Sequence, residues 1–312
     1  ERMHRYKGGF TSNNYKQAYM PTRAIVFKNP VGTAPGFALE SATEPGKYIA
    51  CMPGPPREMT AMFENHLRPW LLSMSDGSIF YRELRTFGIG ESALETALLP
   101  IIDGQTDPTI ATYAKESESS VRIASKRPSR EEAVAAVDSM VGEVDKLVGE
   151  YIYSYDNEEL VNVVVRKLIK KGLTLSSAES CTGGMFASTL TDVPGVSACF
   201  DRGLVTYSDK AKIEELGVSS ETLDRYGAVS EETALEMAEG VRRVSGSDIG
   251  ISVTGIAGPD GGTEEKQVGL TYIGFVYGDR KFCRKIDRAL KERRRNRKYA
   301  TMSMLDIINR EI

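Results

Sequence analysis

Residues 173–190 carry the signals of a buried strand, a turn and a helix: Leu173-Thr-Leu-Ser-Ser-Ala-Glu-Ser180-Cys-Thr-Gly-Gly-Met185-Phe-Ala-Ser-Thr-Leu190. The apolar residues at its start favour a strand, and those at its end favour a helix. Ser180 stands at the turn between the two, where a nucleophile would be well placed. The amides of Thr182, Gly183 and Gly184 would open the helix and point at an anion formed beside this serine. A purely structural turn is the alternative, because serine and glycine are common loop residues.

The base that would activate Ser180 cannot be chosen from nearby histidines. The chain has two histidines, His4 and His66, and both lie near its amino end. A Ser-His-Asp triad is therefore not expected, and lysine is the usual substitute. Cys181 is a rival nucleophile, but as the next residue it should point the other way, and small buried cysteines are common.

A lysine base is offered by Val205-Thr-Tyr-Ser-Asp-Lys-Ala-Lys212. The pattern puts Tyr207 at a strand end and Lys210 and Lys212 on the following helix. A lysine acts as a base only when it is neutral, and lowering its pKa from about 10.4 to about 7.5 requires burial or a nearby cation, roughly 4 kcal/mol. Lys212 has apolar neighbours and is the better candidate to face inward. The alternative is that both lysines are solvated.

Two further segments suggest ligand contacts. Residues 253–262 (VTGIAGPDGG) predict a strand and a glycine-rich loop that a ligand could approach closely, although the spacing fits neither a P-loop nor a dinucleotide fingerprint. Residues 291–298 (KERRRNRK) form a basic run before or in the first turn of the last helix. The helix dipole disfavours cations at this end of a helix, and a phosphate bound between them would offset that cost. A solvated charge run or a nucleic-acid patch is the alternative.

Composition limits the class of protein. The 312 residues leave room for two or three domains, and 41% hydrophobic with 27% charged residues is ordinary for a soluble globular protein. The net charge of -3 argues against general nucleic-acid binding. The cysteines show no C-x-x-C pairing, so neither a disulfide framework nor a zinc site is expected; they are Cys51, Cys181, Cys199 and Cys283. Without an apolar run of about 20 residues or a signal peptide, no membrane association and a cytoplasmic location are expected.

Three domains are predicted, and the overall class is α/β. Residues 1–75 are rich in Pro, Gly and Met, with turn-rich segments at 29–36 and 52–59, the second leading into an amphipathic helix. After a linker at 76–78, residues 80–154 predict a small α+β domain, and residues 157–312 an α/β domain with a mixed sheet. In the last domain, strands are expected at 173–177, 203–207, 249–254, 268–277 and 281–286, and helices at 185–190, 210–216, 231–244 and 296–309. A hairpin turn at Gly278-Asp279 is expected to include Arg280 in its loop.

Four motifs together resemble one family. AESCTGG, RGLVTYSDKAK, GAVSEETA and VTGIAGPDGG occur in order over residues 178–262. Together they resemble the carboxyl-terminal domain of the CinA family (competence/damage-inducible protein A), which is similar to nicotinamide mononucleotide deamidase. Residues 80–154 resemble the family's small middle domain. GTAPG and PGPPREM resemble the later half of its first domain, which has the molybdopterin-binding fold and looks truncated here, since the chain starts at Glu1.

The resemblance implies a reaction and roles. Ser180 is implied to attack the carboxamide of nicotinamide mononucleotide, Lys212 to activate it and Tyr207 to complete the proton relay. The implied substrate contacts are the oxyanion donors Thr182, Gly183 and Gly184, the nucleotide-site residues Glu179, Thr254 and Gly255, and the phosphate ligands Arg293 and Arg297.

The resemblance also implies partners and alternatives. The amidase chemistry needs no metal or cofactor, the partner is a small nucleotide, and a homodimer is expected. The family's first domain is linked to ADP-ribose pyrophosphatase activity and leaves room for a divalent metal in a full-length protein; this chain should lack that activity. The alternatives are a serine-lysine hydrolase of another amide, an inactive nucleotide-binding or regulatory protein, and a partner in DNA uptake.

Overall fold

A computed structural model describes residues 16–75, 77–288, 290 and 292–312. The opening segment with His4, Asp76 of the expected linker and Lys291 of the basic run lie outside the described residues. The chain divides into two compact units, residues 1–78 and 79–312. Each unit is described by itself.

The first unit pairs a small antiparallel sheet with a long helical segment. Its strands are β1 (Ile25–Phe27), β2 (Gly36–Glu40) and β3 (Tyr48–Cys51), in the order β1-β2-β3. The expected amphipathic helix is present as α1 (Pro56–Met62), a π-helical turn (Phe63–Leu67) and α2 (Arg68–Ser73). Phe27, Ala38, Met62 and Leu67 are buried between sheet and helix. Because β1 and β3 both run antiparallel to β2, they point the same way, and the turn-rich segments that follow them meet at one edge of the sheet: Asn29 Nδ2 donates to Glu58 Oε2 at 2.6 Å.

The second unit begins with an α+β layer. It contains β4 (Ser78–Thr86), α3 (Glu91–Ile102), β5 (Thr109–Lys115), β6 (Glu118–Arg127), α4 (Arg130–Val148) and β7 (Ile152–Ser154). The sheet order is β5-β6-β4-β7. The Ser129 hydroxyl accepts a hydrogen bond from the Glu132 amide at 3.2 Å, which caps α4 as its sequence indicates. The short strand β7 was not predicted, because three residues give no clear alternation.

The rest of the second unit is the predicted α/β domain with a mixed sheet. Its helices are α5 (Leu160–Lys171), α6 (Met185–Thr191), α7 (Asp209–Leu216), α8 (Ser220–Tyr226), α9 (Glu231–Ser245) and α10 (Arg293–Glu311). Its strands are β8 (Leu175–Glu179), β9 (Phe200–Val205), β10 (Ile249–Gly255), β11 (Leu270–Tyr277) and β12 (Arg280–Asp287). The order is β12-β11-β10-β8-β9; β8 runs parallel to β9 and β10, and β11 and β12 are antiparallel.

Helices cover both faces of this sheet. Apolar side chains of α5, α6 and α10 pack on one face, including Leu168, Phe186 and Met304. Those of α7, α8 and α9 pack on the other, including Leu216 and Met237. Alternate residues of each strand therefore meet different helices, which fixes the strand register because a slip of one residue would exchange the two faces.

Several boundaries differ from the sequence prediction. The strand expected at 173–177 is β8, two residues later, because polar Ser-Ser-Ala-Glu residues are accommodated between two partner strands. Arg280 was wrongly expected in the hairpin loop; it pairs with Tyr277 as the first residue of β12, around a two-residue turn. The last helix starts at Arg293 rather than Asn296, so most of the basic run is helical. Helix α8 was not predicted, because its seven residues are mostly polar.

Candidate active site

The carboxyl ends of three parallel strands bring three hydroxyl residues together. The ladder continues one residue past β8 and β9: the Ser180 amide donates to the Val253 oxygen and the Thr206 amide donates to the Glu179 oxygen, both at 2.9 Å. Ser180 therefore lies between Thr206 on one side and Thr254, in β10, on the other. Ligands of α/β folds bind beyond such strand ends.

Lys212 reaches Ser180 from the adjacent helix α7. Its Nζ lies 3.4 Å from Ser180 Oγ, and its side chain is 1% exposed. The same nitrogen donates to the main-chain oxygens of Thr206 and Tyr207, each at 3.1 Å. The sequence prediction that Lys212 faces inward is correct, and Lys210 is 79% exposed.

The surroundings of Lys212 favour its neutral form. Burial lowers the pKa of Lys212 below its ordinary value of 10.5, since an ammonium loses hydration there. Asp209 opposes the shift, but it is 3.9 Å away and mostly exposed. A neutral amine has two N–H donors and one lone pair, which matches two carbonyl acceptors and one serine hydroxyl. The pair can therefore pass a proton from Ser180 to Lys212.

Cys181 is a poor competitor for the nucleophilic role. It is buried, and burial raises the pKa of its thiol to about 12, with the carboxylate of Glu179 adding to the rise. Because the thiolate is the reactive species, Cys181 stays in its unreactive thiol form near neutral pH.

The three expected oxyanion donors are not equivalent, and two of them need correction. The Gly183 amide donates to the Ser180 oxygen at 3.1 Å, and the Gly184 amide donates to Glu179 Oε2 at 3.0 Å. Both are already used. The Thr182 amide has no hydrogen-bond partner within the described ranges, so it remains the available donor of the three. Gly183 and Gly184 have φ of 56° and 88°, which explains why glycine is needed in this turn.

Glu179 does not face the substrate, contrary to the expectation. Its side chain is fully buried, and its carboxylate accepts from the amides of Gly184 (3.0 Å), Phe186 (3.1 Å) and Ala187 (2.9 Å). These are the otherwise unpaired amides at the start of α6, where a negative charge is also favoured by the helix dipole. Glu179 therefore anchors the helix that follows Ser180.

Tyr207 is placed differently from the expected proton relay. Its hydroxyl lies 3.2 Å from Arg293 Nη2, which donates to it, and its side chain is 60% exposed. Among the described residues, the hydroxyl makes no hydrogen bond to Ser180 or Lys212. Tyr207 contacts the Ser180–Lys212 pair through its main-chain oxygen, which accepts a hydrogen bond from Lys212 Nζ.

Helix α10 brings two arginines to the Ser180 turn. Arg297 Nη2 donates to the Thr182 oxygen at 2.5 Å, and Arg293 Nη1 donates to the Gly258 oxygen in the glycine-rich loop at 2.7 Å. Lys298 points elsewhere and pairs with Glu116 at 2.6 Å. The helix thus directs the side chains of the basic run to different sides. Arg293 and Arg297 lie beside the strand ends, whereas Lys298 does not.

Known protein families match this chain in three successive regions. The family model described as "CinA C-terminal domain" matches residues 157–312, and a putative competence-damage inducible protein of Clostridium kluyveri is 47% identical over 300 residues, covering 96% of this chain and 72% of that protein. The chain belongs to the CinA family. The model "Damage-inducible protein CinA KH domain" matches residues 81–154, and "Probable molybdopterin binding domain" matches residues 7–73.

Other CinA proteins are also similar to this chain. A CinA-like protein of Dictyoglomus turgidum is 46% identical over 301 residues, covering 96% of this chain and 72% of that protein. A solved structure, competence/damage inducible protein CihA from Agrobacterium tumefaciens, is 38% identical with a TM-score of 0.46, covering 48% of this chain and 94% of the other.

Thr254 and Gly255 shape the site of this CinA chain from within the sheet. The Thr254 side chain is buried and its hydroxyl donates to the Ala228 oxygen at 2.7 Å. A Cβ on Gly255 would lie 2.6 Å from the Leu270 oxygen. Thr254 and Gly255 were expected to line the nucleotide site, and because the Thr254 hydroxyl already donates its proton to Ala228, it could only accept a hydrogen bond from a ligand.

Asn296 was missed by the sequence reasoning. It is buried, its Nδ2 donates to the oxygens of Ala257 (2.9 Å) and Leu290 (3.0 Å), and its Oδ1 accepts from the Leu290 amide (2.9 Å). It ties the start of α10 to the glycine-rich loop and so fixes where the arginines stand. An uncharged residue inside a basic run was the available signal.

Metal-holding clusters and bilayer-crossing helices are both absent from the described residues. No group of three or more His, Cys, Asp or Glu side chains is arranged to hold a metal ion there. No described helix has the length and apolar character that crossing a bilayer requires.

Proposed function

We propose that this CinA protein is an amidohydrolase that converts nicotinamide mononucleotide to nicotinic acid mononucleotide and ammonia. The observation that carries the proposal is the buried Ser180–Lys212 pair, with 3.4 Å between Oγ and Nζ. A buried lysine of lowered pKa beside a serine hydroxyl is an arrangement suited to acyl transfer without histidine.

The first half-reaction forms an ester. Neutral Lys212 takes the proton of Ser180 as Oγ bonds to the carboxamide carbon. The Thr182 amide, which has no hydrogen-bond partner among the described residues, stabilises the negative charge on the carboxamide oxygen; one such donor is worth about 3–4 kcal/mol in other enzymes. Protonated Lys212 then gives its proton to the departing nitrogen, the C–N bond breaks, and ammonia leaves.

The second half-reaction hydrolyses the ester and regenerates the free Ser180 hydroxyl. A water loses a proton to Lys212 while its oxygen bonds to the acyl carbon, and the proton passes to Ser180 Oγ as the ester bond breaks. Lys212 carries each proton that is transferred. The two half-reactions therefore need only Ser180, Lys212, the Thr182 amide and one water.

A phosphorylated substrate is supported by the two arginines. Arg293 and Arg297 lie on the side of α10 that faces the Ser180 turn and the glycine-rich loop. A guanidinium pair suits a phosphate, which it can hold through several charge-assisted hydrogen bonds. Ring and ribose would then span the distance between phosphate and carboxamide.

Replacing Ser180 by alanine tests the mechanism. We expect S180A to lose ammonia release from nicotinamide mononucleotide, measured by a coupled ammonia assay, and to fail to form an acyl-enzyme detectable by mass spectrometry. Cys181→Ala is the matched control and should retain most activity. Ammonia release by S180A would sink the mechanism. A wild-type protein that binds the nucleotide but releases no ammonia would instead favour a nucleotide-binding, non-catalytic role.

A further inference from the structure

The loop between β10 and β11, residues 256–269, runs beside the candidate site and is held at few points. Its ends are closed by main-chain hydrogen bonds, from the Ile256 amide to the Leu270 oxygen (2.9 Å) and from the Gly269 amide to the Ile256 oxygen (2.7 Å). Residues 259–265 are all exposed. In the described part of the chain, none of them hydrogen-bonds to a residue outside the loop. Contacts at its two flanks therefore decide where this β10–β11 loop lies.

Helix α10 holds the first flank of the loop. Arg293 Nη1 donates to the Gly258 oxygen at 2.7 Å, and Asn296 Nδ2 donates to the Ala257 oxygen at 2.9 Å. Because Arg293 contacts the loop through its guanidinium, the position of Gly258 helps to determine where that guanidinium lies. A shift of the loop would therefore move an acceptor of the arginine that is proposed to hold the phosphate.

Lys266 holds the other flank of the loop. Its side chain is half-buried, and its Nζ donates to the Tyr226 oxygen, at the end of α8, at 2.8 Å. The main chain around it is closed locally, since the Thr263 amide donates to the Lys266 oxygen at 2.8 Å and the Lys266 amide donates to Thr263 Oγ1 at 3.0 Å. A Cβ on Gly227 would lie 3.5 Å from Lys266 Nζ. The ammonium thus lies directly against the turn between α8 and α9.

The α8–α9 turn is in its turn attached to the strand beside Ser180. Thr254 Oγ1 donates to the Ala228 oxygen at 2.7 Å. Hydroxyls at the start of α9 donate to the Gly227 oxygen, each at 2.9 Å; they belong to Ser230 and Thr233. Lys266 therefore joins an exposed loop to a turn that is fixed from two sides.

We propose that Lys266 is a positioning residue for the substrate phosphate: it ties the β10–β11 loop to the α8–α9 turn and so keeps Gly258 where Arg293 presents its guanidinium to that phosphate. A charged donor suits this task, because its hydrogen bond to a carbonyl is stronger than one between neutral groups. Lys266 acts through the loop and Arg293 rather than by touching the substrate. The inference rests on the proposed amidase function, since the phosphate belongs to that substrate.

The test compares Lys266→Met, which keeps the length of the side chain without its donors, with Lys266→Arg, which keeps a charged donor. Lys281→Met is the matched control, because Lys281 is an exposed lysine that pairs with Glu239 at 2.7 Å, at the other end of β11 from the loop. The first readout is the rate of cleavage by a glutamate-specific protease after Glu264 and Glu265 in the loop, located by mass spectrometry. The second is KM for nicotinamide mononucleotide, measured in the wild-type and in the Arg293→Ala background.

We expect K266M to be cleaved after Glu264 and Glu265 about fivefold faster than wild type or more, with a melting temperature close to that of wild type, because the lost contact is local. KM should rise about five- to tenfold, the effect of roughly one charge-assisted hydrogen bond, with kcat changed less than about twofold. In the R293A background the same substitution should change KM by less than about twofold, since the guanidinium through which it acts is gone. K266R and K281M should behave as wild type. A general loss of stability would instead raise cleavage throughout the chain and affect both backgrounds equally.

Other results would overturn the inference. Cleavage of K266M at the rate of K281M would show that Lys266 does not hold the loop. Equal increases in KM with and without Arg293 would show that Lys266 does not act through that arginine. If K266M is poorly folded, Lys266→Ala, which removes the donor without placing a long apolar side chain there, is judged by the same criteria. If wild type releases no ammonia, the proposed function fails and the phosphate role fails with it, while the cleavage rates still decide whether Lys266 holds the loop.

Discussion

At the scale of single residues, burial lowers the pKa of Lys212 and so favours the neutral amine that the proposed chemistry needs. Its Nζ is held by two main-chain oxygens, which orient the nitrogen without supplying a full negative charge. Carbonyl dipoles tolerate a neutral amine, whereas a close carboxylate would hold the proton in place. The exposed position of Asp209 is consistent with this design.

The pH dependence of activity follows from that burial. Because the pKa of Lys212 is lowered below 10.5 and the base must be neutral, kcat/KM should rise with pH and level off as Lys212 loses its proton, below pH 10.5. Lys212→Arg should lower kcat/KM by about 10²–10⁴, since a guanidinium stays protonated. Lys210→Arg, on the same helix but exposed, is the control and should behave as wild type. A rate that falls with rising pH over this range would contradict a lysine base.

At the scale of elements, the start of α10 carries an electrostatic cost. Its first turn holds Arg293, Arg294 and Arg295 and no acidic residue, where the helix dipole disfavours cations by about 0.3–1 kcal/mol each. No side chain caps this helix. An anion bound between the arginines would reverse that cost.

Arginine substitutions test whether the side of α10 that faces the Ser180 turn binds the phosphate. Arg297→Ala and Arg293→Ala should each raise KM for nicotinamide mononucleotide about tenfold or more, while the unphosphorylated nucleoside, used as a poor substrate, should be affected little. Arg294→Ala is the control from the same turn and should leave KM unchanged. Equal effects of all three on KM would argue for a general field of positive charge rather than a phosphate site.

Helix α9 lies close to its neighbours because of small residues. A Cβ on Gly240 would overlap the main-chain oxygen of Leu216, at the end of α7. Glycine in a helix interior costs about 1 kcal/mol relative to alanine, so this position trades helix propensity for close packing.

Two glycine substitutions therefore have opposite expected effects. Gly240→Ala should lower the free energy of unfolding by about 1–3 kcal/mol through overpacking. Gly142→Ala in α4, where an added Cβ meets nothing within 4 Å, should raise it by up to about 1 kcal/mol. Urea unfolding monitored by circular dichroism measures both. Stabilisation by Gly240→Ala would show that α9 can move away from α7 at little cost.

At the scale of the whole molecule, the middle region and the CinA carboxyl-terminal region share a core within the second unit. Phe87, just after β4, is buried in the cluster formed by α5 and α10 and lies 5.4 Å from the Tyr299 ring. Lys298 pairs with Glu116, and Arg310 Nη2 donates to the Glu150 oxygen at 3.0 Å. The apolar contact is the stronger tie, because exposed ion pairs contribute about 0–1 kcal/mol.

Phe87→Ala should destabilise the second unit by about 3–5 kcal/mol, the usual cost of emptying a buried aromatic site. Phe80→Ala, on β4 but only half-buried, should cost less and is the matched control. Differential scanning calorimetry of the full chain would report the shift. A transition split into two in F87A would show that Phe87 couples the two regions, whereas equal small shifts for both variants would argue against a shared core.

Much of the fold follows from local patterns. The alternation of apolar strands and amphipathic helices after residue 157 identified the α/β class and the mixed sheet, and the end of α5 at Gly172 was marked by its glycine, which adopts φ of 66°. Short or polar elements such as α8 and β7 were missed, because they owe their conformation to packing rather than to propensity.

The sequence by itself determined the turn at Ser180, the absence of a nearby histidine and the inward side of Lys212, because these depend on neighbours within a few residues. Only the tertiary structure decided which backbone groups are free. The Gly184 amide is taken by Glu179, the Tyr207 hydroxyl meets Arg293, and Arg297 reaches the Thr182 oxygen across 115 positions of the chain. A hydrogen bond has few partners, and distant elements that arrive at one strand end determine which donors and acceptors remain for a substrate.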